Sequence, residues 1–377
     1  MCEGFFTADM TYGEVRRTFR KLLAESTNPF VRQTPALDAD VIICHFAGIS
    51  RTRLLTHEDE LITFFLAEDL SLALEKRLSG LPVAYITNEK EFYGRPFYVD
   101  QNVLIPKPDT ELLVELAVAA ARRRMSEMRL EPSPPVELSE SVRPSEQTAL
   151  SESSGEALPA SLRMADICTG SGCIAISLLL ELAGSGGALK ANSGLSGAAS
   201  AGSACSIEIT ATDISSDALR VAGKNIEKLV PDALRAQISL LEGDLCAPLD
   251  EAAAGALKAD DGLICEPSAE KQTAALFDII VSNPPYVPAA VTDELLSDGR
   301  GEPRLALDGG DDGLAIIRRL GPQVFSHLVP GGSFFLETGE YNAETAAAYL
   351  ETCGFTDVCI HRDLSGQLRV TEAHRPL

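Results

Sequence analysis

The sequence predicts an α/β protein: a doubly wound, mostly parallel sheet, preceded by a small helical domain and a β-hairpin linker. Three observations predict it. From Met164 onward, apolar runs of strand length alternate with segments of helical periodicity. One run, Phe277 to Val281, is apolar enough for a central parallel strand covered on both faces. Several of these runs end in Gly, Asp or Asn, at the carboxyl ends of strands where open α/β sheets bind ligands.

The helical domain is assigned to residues 1–84. Val15, Phe19, Leu22 and Leu23 recur at helix spacing within Thr11 to Ala24, where Thr11 and Glu14 form a capping-box pattern. Asn28-Pro29 stops that helix, and further helices are expected over Asp38 to Phe46 and Glu58 to Leu78, the second closed by Gly80 and Pro82. No catalytic signature falls in this region, which reads as a recognition or packing module. Residues 85–106 form the linker, since Glu89 to Asp100 alternates apolar and polar residues on both sides of Gly94, a hairpin pattern. Val103 to Glu111 then runs from an extended segment into a helix that starts near Pro108 or Asp109.

The remainder, residues 107–377, is the sheet domain. Strands are expected at Met164–Cys168, Ile207–Thr212, Gln237–Leu241, Phe277–Val281, Ser333–Glu337, Val358–His361 and Leu368–Val370. Helices are expected at Cys173–Leu182, Asp217–Leu229, Gly313–Leu328 and Ala343–Cys353. Three low-complexity segments, about 132–161, 184–206 and 247–271, are rich in Ser, Pro, Gly, Ala or acidic residues and show no period that could bury a face. They read as mobile surface inserts.

Composition narrows the function. With 377 residues and 45% hydrophobic content the chain can build a substantial core. No apolar stretch reaches the ~18 residues of a membrane span, and Met1 to Met10 lacks a basic segment followed by an apolar one, so a soluble cytoplasmic protein is expected. The nine cysteines are scattered without a Cys-x-x-Cys pair, and the five histidines do not cluster with carboxylates along the chain. No metal site is expected. A net charge of −23 argues against a polyanionic partner.

Two loops carry the candidate chemistry. Asp166-Ile-Cys-Thr-Gly-Ser-Gly172 lies between a strand and a helix, where Gly170 and Gly172 permit a sharp turn and close backbone approach to a ligand at the helix N-terminus. It is neither a P-loop nor a full Gly-x-Gly-x-x-Gly. Asp213, ending the next strand, can accept both hydroxyls of a ribose, and Asp244 follows the third strand in position to meet an adenine edge. Together these strand ends favour an adenosyl cofactor. The second loop, Asn283-Pro284-Pro285-Tyr286, follows the central strand. The prolines fix φ and remove N–H donors, so the Asn283 carboxamide oxygen and the Pro284 carbonyl can converge on one NH₂ group, with the Tyr286 ring packed on its plane. No titrating base is assigned. A Pro-rich turn with no catalytic role is the plainer reading of the same four residues.

Asp166-Ile-Cys-Thr-Gly-Ser-Gly-Cys, the strand-end Asp213 and Ile-Val-Ser-Asn-Pro-Pro-Tyr resemble the motifs of class I S-adenosylmethionine-dependent methyltransferases. More narrowly, the chain resembles the peptide chain release factor glutamine N5-methyltransferases, the PrmC/HemK family. Leu81-Pro-Val-Ala-Tyr-Ile, Glu91-Phe-Tyr-Gly, Leu104-Ile-Pro-Lys-Pro-Asp-Thr-Glu, Asn283-Pro-Pro-Tyr and Glu302-Pro-Arg-Leu-Ala-Leu-Asp-Gly-Gly-Asp-Asp-Gly carry this likeness, the last being specific to the family.

The resemblance implies a Rossmann-like seven-stranded methyltransferase sheet. S-adenosyl-L-methionine would contact Cys168, Thr169, Gly170, Ser171, Gly172, Asp213, Asp244, Leu245 and Asn283. Asn283, Pro284, Pro285 and Tyr286 would hold the glutamine of the Gly-Gly-Gln motif in class I peptide chain release factors, with Asn283, Pro284 and Tyr286 taking the catalytic roles. A monomer is expected, with no DNA or membrane partner, in keeping with the net charge and the lack of an apolar span.

The chain departs from the family pattern in several places. Lys107 and Asp109 replace Arg and Glu, Cys168 replaces the first glycine of the cofactor loop, Leu245 takes an often aromatic position, and Gln367-Leu368-Arg369 varies the usual ending. The residues alone also allow amino-group methylation of adenine N6 or cytosine N4 in DNA, or a non-catalytic adenosyl-binding regulator.

Overall fold

The structure, a computed structural model, describes residues 5–130, 161–184, 206–250, 276–297, 299 and 301–377. The three expected inserts lie almost wholly outside these residues. Their edges do not behave as inserts: Ser161 and Ser206 begin strands, Gly184 ends a helix, and residues 247–250 form a helical turn that buries Leu249.

The first region is helical: α1 (Tyr12–Ala24), α2 (Pro35–Ala47), α3 (Arg51–Thr56), α4 (Phe64–Leu78) and α5 (Val83–Thr87). The expected capping box is present, with Thr11 Oγ1 accepting from the Glu14 N–H and the Thr11 N–H donating to Glu14 Oε2 at 2.8 Å. The single helix expected over Glu58 to Leu78 is corrected: α4 begins only at Phe64, capped by Thr63, and α3 precedes it. Residues 58–62 stay non-helical, a turn followed by a bridge from Leu61 to Thr11, because they satisfy the start of α1. Glu60 and Glu58 carbonyls accept from the Tyr12 and Gly13 N–H groups at 2.9 Å, and the Ile62 N–H donates to the Met10 carbonyl. The buried Arg77–Asp38 pair, 2.7 Å apart, ties α4 to α2, and Arg77 also donates to the carbonyls of Phe30, Gly80 and Leu81.

Strands β1 (Glu89–Phe92) and β2 (Arg95–Tyr98) form the expected hairpin, turning at Tyr93-Gly94 with both residues at positive φ. After a 3₁₀ turn at Pro108–Thr110, α6 (Glu111–Leu130) leads to the sheet. Its strands are β3 (Ser161–Ile167), β4 (Ser206–Asp213), β5 (Ile238–Glu242), β6 (Phe277–Ser282), β7 (Leu328–Glu337), β8 (Thr356–Arg362) and β9 (Leu368–His374), in the order β5-β4-β3-β6-β7-β9-β8. Five strands run parallel, while β9 pairs antiparallel with both β7 and β8. The helices are α7 (Cys173–Gly184), α8 (Ser216–Leu229), α9 (Ala289–Leu296), α10 (Ala315–His327) and α11 (Ala343–Thr352). Periodicity had not signalled α9, an eight-residue helix behind Pro288 that buries only Thr292.

The strand order reverses at β3/β6, and every residue of β6 is buried. One apolar layer sits between the sheet and α6 and α7, with Phe92 and Phe97 of the hairpin built into it. The other sits between the sheet and α10 and α11, and a third fills the helical region. Asn225 of α8 locks the hairpin to this frame. Its Oδ1 accepts from the Tyr98 N–H at 2.7 Å while its Nδ2 donates to the carbonyls of Tyr98 and Ser171.

The histidines and carboxylates stay apart along the chain, but the fold joins some of them at β8 and β9. Antiparallel pairing brings Cys359, His361 and Glu372 together, with one donor atom from each within 4.8 Å of the others, a proximity that chain-local spacing cannot reveal. Among the described residues no helix is long and apolar enough to cross a membrane.

Candidate active site

The candidate site lies beyond the carboxyl ends of β3, β4 and β6, beside the point where the strand order reverses. A cavity of about 230 Å³ opens there, lined by the Cys168–Ser171 loop, Asp213, Asp244, Leu245, Asn283 and Pro285.

The loop after β3 turns through three left-handed residues, Cys168, Gly170 and Gly172, with φ of 65°, 55° and 78°. Cys168 therefore holds, with a side chain, a conformation that glycine adopts without strain. A Cβ on Gly172 would approach Ala222 of α8 to 3.2 Å, so glycine there lets α8 pack close to the loop. Asp166 anchors the turn from below: its Oδ2 accepts from the Thr169 hydroxyl at 2.6 Å and from the Ala175 N–H at 3.2 Å. Burial pushes its carboxyl up to about 7.

Asp213 ends β4, and its two oxygens accept from the Gly170 N–H (2.8 Å) and the Ser215 N–H (2.9 Å). Burial raises its pKa, and the bonds from Ser215 and Gly170 oppose that rise. Each oxygen retains acceptor capacity toward the cavity. Asp244 lines the same cavity and pairs with Arg319 of α10, while Leu245 sits beside it at φ 55° with its side chain in the core.

The other half of the cavity is held by contacts between distant side chains. Asn283 Nδ2 donates to Thr110 Oγ1 at 3.2 Å, which leaves the amide oxygen Oδ1 as the group available to an incoming donor. Neither Pro284 nor Tyr286 lines the cavity. The Tyr286 hydroxyl donates to Glu337 Oε1 at 3.1 Å, and its ring packs against the core layer next to α10. Glu337 ends β7 and is fully buried, which pushes its carboxyl up to about 7 against the opposing effects of Thr110, Arg369 and Tyr286. Arg369 in turn bonds Asp363 and Asp109 at 3.1 and 3.3 Å.

Thr110, Glu337 and Arg369 were not assigned to the site from the sequence, although Thr110 and Arg369 lie in stretches compared with the family pattern. Glu337 left a signal, a carboxylate closing an otherwise apolar strand, whereas Thr110 resembled an ordinary helix start.

Residues 14–87 match the family model described as the PrmC N-terminal domain. Among curated proteins, the release factor glutamine methyltransferase of Bordetella pertussis is 32% identical over 89% of this chain and 94% of its own length. That of Moorella thermoacetica is 30% identical over 95% of this chain and 99% of its own. The chain belongs to the release factor glutamine methyltransferase family. Its similarity to the solved protein-(glutamine-N5) methyltransferase (release factor-specific) of Alicyclobacillus acidocaldarius is 24% in identity, with a TM-score of 0.32 over 74% of this chain and 100% of that one.

The family's sequence signatures converge in space. Lys107 Nζ bonds the buried Glu302 Oε1 at 2.7 Å, joining Leu-Ile-Pro-Lys-Pro-Asp-Thr-Glu to the start of the Glu-Pro-Arg stretch. That stretch then clamps the Asn-Pro-Pro-Tyr loop by its backbone. The Val287 N–H donates to the Leu307 carbonyl (2.9 Å) and the Gly309 N–H to the Val287 carbonyl (2.8 Å). A Cβ on Gly309 would come within 2.8 Å of the Tyr286 Cα, and one on Gly313 within 2.3 Å of the Tyr286 carbonyl oxygen. Gly309 and Gly313 are therefore required by close backbone contact.

Proposed function

We propose that this protein transfers a methyl group from S-adenosyl-L-methionine to the side-chain amide nitrogen, N5, of the glutamine in the Gly-Gly-Gln motif of class I peptide chain release factors. The observation that carries this reading is the fixed orientation of Asn283: with its NH₂ on Thr110, its oxygen is the atom turned to a donor such as a glutamine amide. Membership of the family supplies the substrate class.

An amide nitrogen is a weak nucleophile because its lone pair is delocalised, so the protein's main task is positioning. Asn283 Oδ1 accepts one N–H bond and aims the nitrogen; the Pro284 carbonyl, outside the cavity lining until substrate enters, accepts the other. Pro285 stiffens the loop between them. Tyr286, held by Glu337 through its hydroxyl and by Gly309 and Gly313 through its backbone, fixes the far end of the loop.

For the cofactor, the open cavity and the acceptor capacity of Asp213 suit a ribose with two hydroxyls, and the Cys168–Gly172 loop leaves space beside Gly170. Cys168, Thr169, Gly170, Ser171, Gly172, Asp213, Asp244, Leu245 and Asn283 would hold S-adenosyl-L-methionine. When bound, it supplies an electrophilic methyl group on a sulfonium. The helical region grips the release factor, and the protein works as a cytoplasmic monomer without DNA; the chain's charge of −23 supports the last point.

The test offers purified protein methyl-labelled S-adenosyl-L-methionine together with a class I release factor or with DNA. Label is expected on the release factor glutamine alone. Label on adenine or cytosine, or on neither macromolecule, would overturn the reading.

A further inference from the structure

Outside the cavity lining, the outer edge of the sheet gathers groups that the proposed methyl transfer does not use. Cys359 and His361 of β8, and Glu372 and His374 of β9, project from one face of an antiparallel pair in which Cys359 lies opposite Glu372. Cys359 Sγ is 3.4 Å from His361 Nε2 and 3.9 Å from Glu372 Oε2, and His361 Nε2 is 2.8 Å from Glu372 Oε2. A tetrahedral Zn²⁺, with sulfur at ~2.3 Å and nitrogen or oxygen at ~2.0 Å, separates its ligand atoms by roughly 3.3–3.6 Å. The three atoms are thus within about 0.5 Å of the edges of a zinc tetrahedron before any ion enters.

The surroundings orient these donors. His374 Nε2 and, more distantly, Arg123 face the other carboxylate oxygen, Glu372 Oε1, at 3.3 and 3.9 Å, which leaves Oε2 toward Cys359 and His361. His374 is itself held at Nδ1 by the Ser333 hydroxyl, 3.1 Å away. Such outer contacts fix the geometry of metal ligands. A thiolate, an imidazole and one carboxylate oxygen form a donor set suited to a borderline-soft cation rather than to Mg²⁺ or Ca²⁺.

We propose that Cys359, His361 and Glu372 form a Zn²⁺ site that clips edge strand β8 to β9, with water as the fourth ligand. Binding releases the thiol proton to solvent and requires His361 in the tautomer with a free Nε2. None of the three residues lines the methyl-transfer cavity, so the site acts on the sheet edge rather than on the reaction.

The experiment uses the full chain, stripped with a chelator and kept reduced, titrated with Zn²⁺ by calorimetry and with Co²⁺ by absorption. One Zn²⁺ per chain is expected, together with a thiolate-to-cobalt charge-transfer band and a melting temperature that rises on adding zinc. Cys359→Ser and His361→Ala should each weaken binding at least about a hundredfold and abolish that rise, and His374→Gln, acting only through Glu372, should weaken it about 10- to 100-fold. Circular dichroism checks that the variants fold; release factor methylation should be unchanged in all of them. Absence of binding to wild type, absence of the thiolate band, or equal affinity in wild type and Cys359→Ser would overturn the site.

Discussion

The two halves of the cavity are built differently. On the cofactor side, Asp213 is held by the backbone N–H groups of Gly170 and Ser215, so its geometry follows from where the strand ends and the glycines turn. On the target side, Asn283 leans on Thr110, and Tyr286 on Glu337, through side chains that are 173 and 51 residues apart in sequence. A backbone-held group tolerates changes around it, whereas a group held through side chains depends on each of its partners. Mutations should therefore split into those that affect cofactor binding and those that affect the rate.

Asn283→Ala should show the largest effect. It removes one of two acceptors on the substrate amide, and loss of one preorganised contact typically costs about 10²- to 10³-fold in rate. Single-turnover methylation should fall at least about a hundredfold, while S-adenosyl-L-methionine affinity should fall much less, because the glycine loop and Asp213 carry most of that contact. A rate within about threefold of wild type would reduce Asn283 to a turn residue.

Asp213→Ala tests the other half. Losing a charged acceptor costs about 1.5–3 kcal/mol, so calorimetry should find cofactor binding roughly 10- to 150-fold weaker. Unchanged affinity would move the ribose contact elsewhere.

Thr110→Val separates the halves more finely. It frees the Asn283 amide to rotate, so methylation should slow about 5- to 30-fold with no change in cofactor affinity. If cofactor affinity drops in parallel, the two halves are not separable.

The smallest effect is on stability. The folded-state pKa of Glu337 lies above its ordinary value, so its stabilising contribution is complete below about 4.5 and is lost as pH rises through about 7. Glu337→Gln mimics the protonated form. It should melt about 2–4 °C higher than wild type at pH 8 and equally at pH 4. A lower melting temperature at pH 8 would mean that the ionised carboxylate is the stabilising form.

The same division explains what the sequence disclosed. Strand ends carrying Gly170, Gly172 and Asp213 were legible because the chemistry sits within a few residues of the strand that presents it. Asn283 was legible from its prolines and the apolar strand before it. Thr110 and Glu337 were not, because their roles depend on α6 and β7 being packed beside the loop, a tertiary fact with no local period. The α3/α4 boundary failed for a related reason: residues 58–62 are helix-compatible alone, and their bonds to Tyr12, Gly13 and Met10 hold them in a turn and a bridge instead. The Cys359–His361–Glu372 cluster was hidden by strand register.

The positions of three strand starts have a practical consequence. Strands β3, β4 and β6 begin at Ser161, Ser206 and Phe277. In a parallel sheet those strand starts share one rim, and the cavity sits on the opposite rim, ~20 Å away along strands of this length. A fluorescent reporter grafted between Gly184 and Ser206 would therefore hang from the side opposite the cleft. Docking of a substrate as bulky as a release factor could then be followed in living cells by a tag that does not stand in its way.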